Sequence, residues 1–180
     1  MGLKDQQRAL AKLFTLDSAR CKFLSKSDKF REKDDVIKDA FFSGDELSMQ
    51  IFEFADSLIK KRLGQVRQYI PGTCNIFKNK LAHIFQEYAK DKPTSGIKRH
   101  LYDSLMFMEF LDSNYSELLN SNIKKSIFKF ERIWLKAILS KRFLYINSFS
   151  FDVSASIKNL KFHNRNSAVL LGSPRVCLWL

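Results

Sequence analysis

The stretch around His100 holds the residues best suited to acid–base or metal chemistry in this 180-residue chain. Asp103 lies three positions after His100 and Glu109 lies about two turns beyond it, so one helix could bring these side chains together. An imidazole beside carboxylates can transfer protons near neutral pH or bind a metal. The simpler interpretation is a hydrogen bond or ion pair between His100 and Asp103 on a helix surface. Of the other two histidines, His83 and His163, the first is expected beside a core stripe.

The rest of the sequence carries no recognisable enzyme motif. It contains no phosphate-binding loop, no dinucleotide fingerprint, no H-E-x-x-H zinc motif, no G-x-S-x-G elbow and no EF-hand loop. Its three cysteines, Cys21, Cys74 and Cys177, are scattered and include no C-x-x-C pair, which indicates free thiols rather than a disulfide framework or a zinc site. We therefore predict a protein that is not an enzyme and that binds no metal or cofactor.

Basic residues form three groups that could bind an anionic partner. Residues 1–55 hold ten basic and ten acidic residues, so the net charge of +12 arises entirely after position 55. The groups are Lys60, Lys61, Arg62 and Arg67; Lys98, Arg99 and His100; and Lys124, Lys125, Lys129, Arg132 and Lys136. Within the third group, the last four residues follow an i, i+4, i+7, i+11 spacing, which places them along one side of a helix. Such a stripe could contact an acidic protein surface or follow a phosphate backbone.

Three interpretations of these basic groups remain open. They could be solvated helix faces, a docking surface for an acidic peptide or protein, or a grip on nucleic acid. No helix with Asn, Gln and Arg at base-reading positions is evident, so any DNA binding is expected to use non-specific phosphate contacts. The aromatic residues recur at core spacing, which argues against stacking platforms for single strands.

Composition predicts a mainly α fold, an antiparallel helical bundle with a small C-terminal β-hairpin-like unit. Six Gly and three Pro allow few tight turns, and 45% apolar residues provide a core. Two short helices are predicted at 3–14 and 16–25. Longer helices, joined by short connections, are predicted at 46–70, 73–90, 97–112 and 116–141.

The chain is expected to divide into three parts. Residues 1–45 form short N-terminal helices, 46–142 form the bundle core, and 143–180 form a β-like appendage packed on the bundle. The last part is predicted because "SFSFDVSA" alternates apolar and polar residues, and "SAVLLGSPRVCLWL" is a second β-like run. The Met1 end is charged and lacks an apolar core, and the apolar runs are too short to span a bilayer. We therefore predict a cytoplasmic protein without membrane contact.

Residues 46–140 also share a pattern with a known family. Its features are a helix ending at Ile70-Pro71, an aromatic helix closing at Tyr88-Ala89, a turn with Pro93 and Gly96, an Asp-containing helix ending at Phe110-Leu111, and a later helix carrying Glu131 among apolar residues. In this pattern the chain resembles the helical accessory proteins, often labelled DNA-binding, that accompany multinuclear non-haem iron enzymes in ribosomal-peptide maturation, and related bacterial proteins.

The resemblance implies a non-enzymatic role and assigns no catalytic residue. An accessory protein of this kind would dock a partner enzyme or an acidic peptide, and a precursor peptide could add as a strand to an exposed sheet edge. The alternative is a nucleic-acid-binding protein whose basic helices contact phosphates.

Overall fold

The computed structural model describes residues 3–22, 44–140, 145–149, 152–154, 157 and 175–179, and they are mainly helical as predicted. Residues 17–22 are helical. The elements with defined bounds are α1 (Leu3–Thr15), α2 (Gly44–Tyr69), α3 (Pro71–Ile76), α4 (Leu81–Ala89), α5 (Arg99–Asn114), a 3₁₀ turn (Ser116–Leu118), α6 (Asn122–Leu139), β1 (Tyr145–Phe149) and β2 (Arg175–Trp179). Within these ranges no helix combines the length and the hydrophobicity needed to cross a bilayer.

The chain forms two compact units. The first comprises the described residues up to Arg62 together with Ile84–Pro93, and the second comprises Leu63–His83 and the described residues from Thr94 onward. The three-part division predicted from sequence stays a prediction.

The first unit contains a buried arginine, Arg20, which is 4% exposed. Its Nη2 donates to Asp17 Oδ1 at 2.9 Å, and its Nη1 donates to the carbonyl oxygens of Leu13 and Phe14 near the end of α1. A cation is favourable there because the carbonyl groups of a last helical turn carry partial negative charge. Phe14 also packs against Phe54 of α2, with ring centroids 4.6 Å apart.

A second contact in this unit joins Asp91 to the helical segment 17–22. The backbone N–H and the hydroxyl of Ser18 both donate to Asp91 Oδ1, at 3.0 and 2.8 Å. These two hydrogen bonds favour the charged carboxylate and lower the pKa of Asp91.

The predicted single helix at 73–90 is wrong. The structure has α3 and α4 instead, separated by a turn over residues 77–80. The N–H of Phe77 donates to Thr73 O, and the N–H of Lys80 donates to Phe77 O at 2.8 Å, so a hydrogen-bonded turn follows α3. Pro71 begins α3 rather than merely ending α2, which is a position that proline accepts because the first helical N–H needs no partner.

Helices α5 and α6 lie antiparallel in the second unit. Asp112 near the end of α5 contacts Arg132, Glu109 contacts Lys136, and Lys98 just before α5 donates to Ile138 O near the end of α6. The prediction of one helix over 116–141 needs correction at its start. Residues 116–118 form a 3₁₀ turn, and α6 begins at Asn122.

The two strands pair in antiparallel register, with Asn147 opposite Cys177. Phe149 of β1 joins a buried cluster with Ile127, Val153 and Ile157, so β1 is anchored to α6 through apolar contacts. Since the connection between the strands lies outside the described residues, the predicted hairpin stays a prediction.

Candidate anion-binding groove

Helix α6 positions the basic stripe predicted from sequence. The helix begins with a side-chain cap, because Ser121 accepts the N–H of Lys124 at 3.2 Å. One face of α6 is buried through Ile127, Phe128, Glu131 and Leu135. Burial of that face leaves Lys125 and Lys129 exposed and Arg132 and Lys136 partly exposed.

The stripe lines a surface groove of about 460 Å³ in the second unit, which we call the basic groove. Its lining consists of the four basic residues Lys125, Lys129, Arg132 and Lys136, the apolar residues Leu119, Phe128 and Ile133, and the polar residues Asp112 and Ser116. Phe128 and Leu119 are buried, so they form an apolar floor beneath the charged rim. A ligand in this groove could therefore meet both positive charge and apolar surface.

Acidic neighbours neutralise only one end of the stripe. Arg132 Nη1 contacts Asp112 Oδ2 at 2.7 Å, and Lys136 Nζ lies 4.0 Å from Glu109 Oε1. Lys125 and Lys129 have no carboxylate partner among the residues the structure describes. The excess positive charge of the basic groove therefore lies towards the beginning of α6.

Positive charge at the beginning of α6 is unfavourable for the stability of this helix. The first turn of α6 contains no acidic residue and instead carries Lys124 and Lys125. Cations near a helix N-terminus face the positive end of the helix dipole, at a cost of about 0.3–1 kcal/mol each. An anion bound in the basic groove would relieve this repulsion.

The other two basic groups are arranged differently. Lys60 and Lys61 are exposed on α2 in the first unit, and the guanidinium of Arg62 lies 5.7 Å from the ring centroid of Phe85. Arg67 belongs to the second unit. Arg62 thus takes part in packing within the first unit, where a cation over an aromatic face is favourable.

The group at the start of α5 makes local contacts. Lys98 Nζ donates to Ile138 O at 3.4 Å, and Arg99 Nε donates to His100 Nε2 at 3.3 Å. His100 Nδ1 is buried and has no hydrogen-bond partner in the described ranges, so this nitrogen does not bond to Asp103. Asp103 itself is buried. The surface hydrogen bond expected between His100 and Asp103 is therefore not made through His100 Nδ1.

His83 is exposed next to the buried Ile84, and His163 lies outside the described residues. Across the ranges the structure describes, no group of three or more His, Cys, Asp or Glu side chains is placed to hold a metal ion.

Glu131 has a structural role that sequence reasoning missed. Its two carboxylate oxygens accept the backbone N–H groups of Gly72 at 2.7 Å and Thr73 at 2.8 Å. These are N–H groups of the first turn of α3, which has no side-chain cap of its own. Glu131 is 3% exposed, so α6 supplies a buried carboxylate that caps α3 from 59 residues away in sequence. The available sequence signal was an acidic residue on the apolar face of α6.

Cys74 lies next to this cap and is buried, whereas Cys21 is exposed; both are free thiols. Burial, together with the nearby charge of Glu131, raises the pKa of Cys74 to about 12. At pH 8 only about one Cys74 side chain in 10⁴ would then be thiolate, the nucleophilic form.

We therefore expect iodoacetamide to alkylate Cys21 in the folded protein at pH 8 and to modify Cys74 at least about 100-fold more slowly. Peptide mass mapping after a timed exposure measures both rates in one sample. In denaturant the two rates should converge. Equal rates in the folded protein would contradict the burial of Cys74.

Comparison with known proteins yields no relative. No protein-family model matches the chain, and neither the curated proteins nor the solved structures give a match. The resemblance noted for residues 46–140 therefore stays a prediction.

Proposed function

We propose that this chain is a non-enzymatic binding protein whose basic groove docks an acidic peptide segment that also carries apolar side chains. The observation that supports the proposal is the combination of the unneutralised lysines Lys125 and Lys129 with an apolar floor that includes Phe128. The segment could be a free peptide or part of a partner enzyme. The excess of basic over acidic residues after position 55 favours an acidic partner of either kind.

The apolar floor favours a peptide over nucleic acid. Successive side chains of an extended peptide point to opposite sides, so apolar residues can face Leu119, Phe128 and Ile133 while acidic residues reach the rim. A phosphate backbone offers charge but no apolar side chain to bury. The distance along α6 from Lys125 to Lys136 is about 17 Å at 1.5 Å per residue, which about five or six extended residues would cover.

The resemblance to accessory proteins suggests a biological setting for this binding. In that setting the protein is a cytoplasmic helical bundle that supports an enzyme of ribosomal-peptide maturation, and the docked segment belongs to the enzyme or to a precursor peptide. This part of the proposal rests on the pattern in residues 46–140 and on the missing enzyme motifs, rather than on the basic groove itself.

Nucleic-acid binding is the second candidate, and the one-sided stripe from Lys125 to Lys136 is the observation that favours it. If all four basic residues contacted duplex phosphates, the logarithm of the association constant would fall with the logarithm of salt concentration with a slope of about −3.6. Retention of most of the affinity for the peptide at a salt concentration that abolishes DNA binding would favour the peptide.

The test of the proposal is a titration of a fluorescent peptide in which Glu alternates with Leu over about six residues. We expect the double variant Lys125→Gln, Lys129→Gln to bind it at least about tenfold more weakly, since two charge contacts of about 0.7 kcal/mol each are lost. Fluorescence anisotropy gives both dissociation constants.

The matched control is Lys60→Gln, Lys61→Gln, which removes the same charge from exposed positions on α2. Its affinity should change less than about twofold. Equal losses in the two double variants would mean that net charge alone attracts the peptide and would contradict docking in the basic groove.

A further inference from the structure

A second groove lies in the same unit, with a volume of about 240 Å³, and we call it the side groove. The turn between α3 and α4 supplies Lys78 and Lys80 to its lining, and the start of α6 supplies Lys124. Apolar surface comes from Ile76, Phe77 and Leu118. The side groove thus shares the mixed basic and apolar character of the basic groove, and unlike that groove it has no acidic residue in its lining.

One short segment separates the two grooves. Leu118 and Lys124 line the side groove. The residues that follow them in sequence, Leu119 and Lys125, line the basic groove. Consecutive Cα atoms are 3.8 Å apart, so residues 118–125 contribute closely spaced residues to the linings of both grooves.

Lys124 holds this dividing segment together without losing its charge. Its Nζ donates to Leu118 O at 3.3 Å and to Asn120 Oδ1 at 3.1 Å. Both acceptors are neutral, so the ammonium charge is not cancelled by a carboxylate. Exposed lysines therefore line both grooves, Lys125 and Lys129 in the basic groove and Lys80 in the side groove.

We propose that the two grooves bind one continuous ligand, an extended acidic peptide of about twelve residues that crosses residues 118–125. The inference rests on the proposed function, because it extends the ligand of the basic groove. About six extended residues cover the stripe on α6, and a peptide of twice that length, with a reach of about 40 Å, has about 20 Å left to cross the dividing segment towards Lys78 and Lys80. Acidic side chains along the whole peptide match lysines on both sides of the segment.

The proposal is tested with two fluorescent peptides in which Glu alternates with Leu, one of about six and one of about twelve residues. Each is titrated against the wild type and against the double variant Lys78→Gln, Lys80→Gln. The long peptide is expected to bind the wild type about tenfold more tightly than the short one. The double variant is expected to lose about fivefold in affinity for the long peptide and to bind the short one unchanged. Its circular dichroism and melting temperature should match those of the wild type.

The control variant Lys98→Gln, Arg99→Gln removes two charges outside both groove linings and should leave both affinities within about twofold. If the short peptide binds through Lys125 and Lys129, but neither the peptide length nor the change at Lys78 and Lys80 matters, the continuous site is wrong while the proposed function stands. If neither peptide binds, both are wrong. Tighter binding of a single-stranded DNA of about twelve nucleotides than of either peptide would overturn the peptide as ligand.

Discussion

Replacing Glu131 with Gln is expected to lower the free energy of unfolding of the second unit by about 3 kcal/mol. The Glu131 carboxylate accepts two buried N–H groups, from Gly72 and Thr73, and a hydrogen bond to a charged group contributes about 1.5–3 kcal/mol. A Gln side chain retains one acceptor oxygen and turns an NH₂ donor towards the other N–H. One buried donor is then left unpaired, and one of the two hydrogen bonds by which α6 caps α3 is lost.

Urea denaturation followed by tryptophan fluorescence measures this change. The chain has two tryptophans, Trp134 and Trp179, and both belong to the second unit. With a slope of about 2 kcal/mol/M, the midpoint should fall by roughly 1.5 M.

The matched control for this change is Glu109→Gln, which also removes one carboxylate from an α-helix. Glu109 is partly exposed, and its carboxylate lies 4.0 Å from Lys136 Nζ, so its loss should change stability by less than about 0.5 kcal/mol. Wild-type stability in Glu131→Gln would contradict the capping role of Glu131.

Replacing Gly72 with Ala is expected to destabilise the same unit by about 2 kcal/mol. A Cβ at this position would lie 2.5 Å from Ile127 Cγ2 and 3.2 Å from both Glu131 Oε1 and Ile157 Cγ1. Close approach of α3 to α6 therefore requires a residue without a side chain here. Overpacking of a buried contact typically costs about 1–3 kcal/mol, because neighbouring side chains and backbone must move.

Gly64→Ala is the control, and it is expected to raise the free energy of unfolding instead of lowering it. Gly64 is exposed within α2, and a Cβ there would meet no atom within 4 Å. Because Ala has the higher helix propensity, this variant should gain about 0.5–1 kcal/mol. The same urea measurements compare the two variants. Stabilisation by Ala at both positions would show that α3 and α6 are not packed as closely as the structure has them.

The sequence predicted the helices best where a strong stop signal or a regular apolar stripe was present. The helix predicted at 46–70 corresponds to Gly44–Tyr69, because Pro71 limits its end and Ala55, Leu63 and Val66 keep one face apolar. The break between α3 and α4 was missed because apolar residues recur at helical spacing on both sides of it. Neither Gly nor Pro marks the turn at 77–80, so periodicity alone could not reveal it.

Part of the candidate site could be predicted from the spacing of basic residues in the sequence. The stripe from Lys125 to Lys136 follows from helix geometry once α6 is assigned. The neutralisation of Arg132 by Asp112 depends on how α5 packs against α6, and no local pattern encodes that packing. The same holds for Glu131, whose partners lie on another helix. Contacts between residues far apart in sequence therefore determine which basic residues are paired with a carboxylate.

Mapping the bound peptide with ¹H–¹⁵N NMR tests whether the basic groove docks an acidic peptide with apolar side chains. Titration with the alternating Glu and Leu peptide should shift the backbone amide signals of Leu119, Lys125, Phe128 and Ile133 together. The same peptide with Gln in place of Glu should leave them largely unshifted. Docking in the basic groove is contradicted if these signals stay in place while others move, for instance those of Tyr102 and Met106, which are exposed apolar residues on α5 outside the groove.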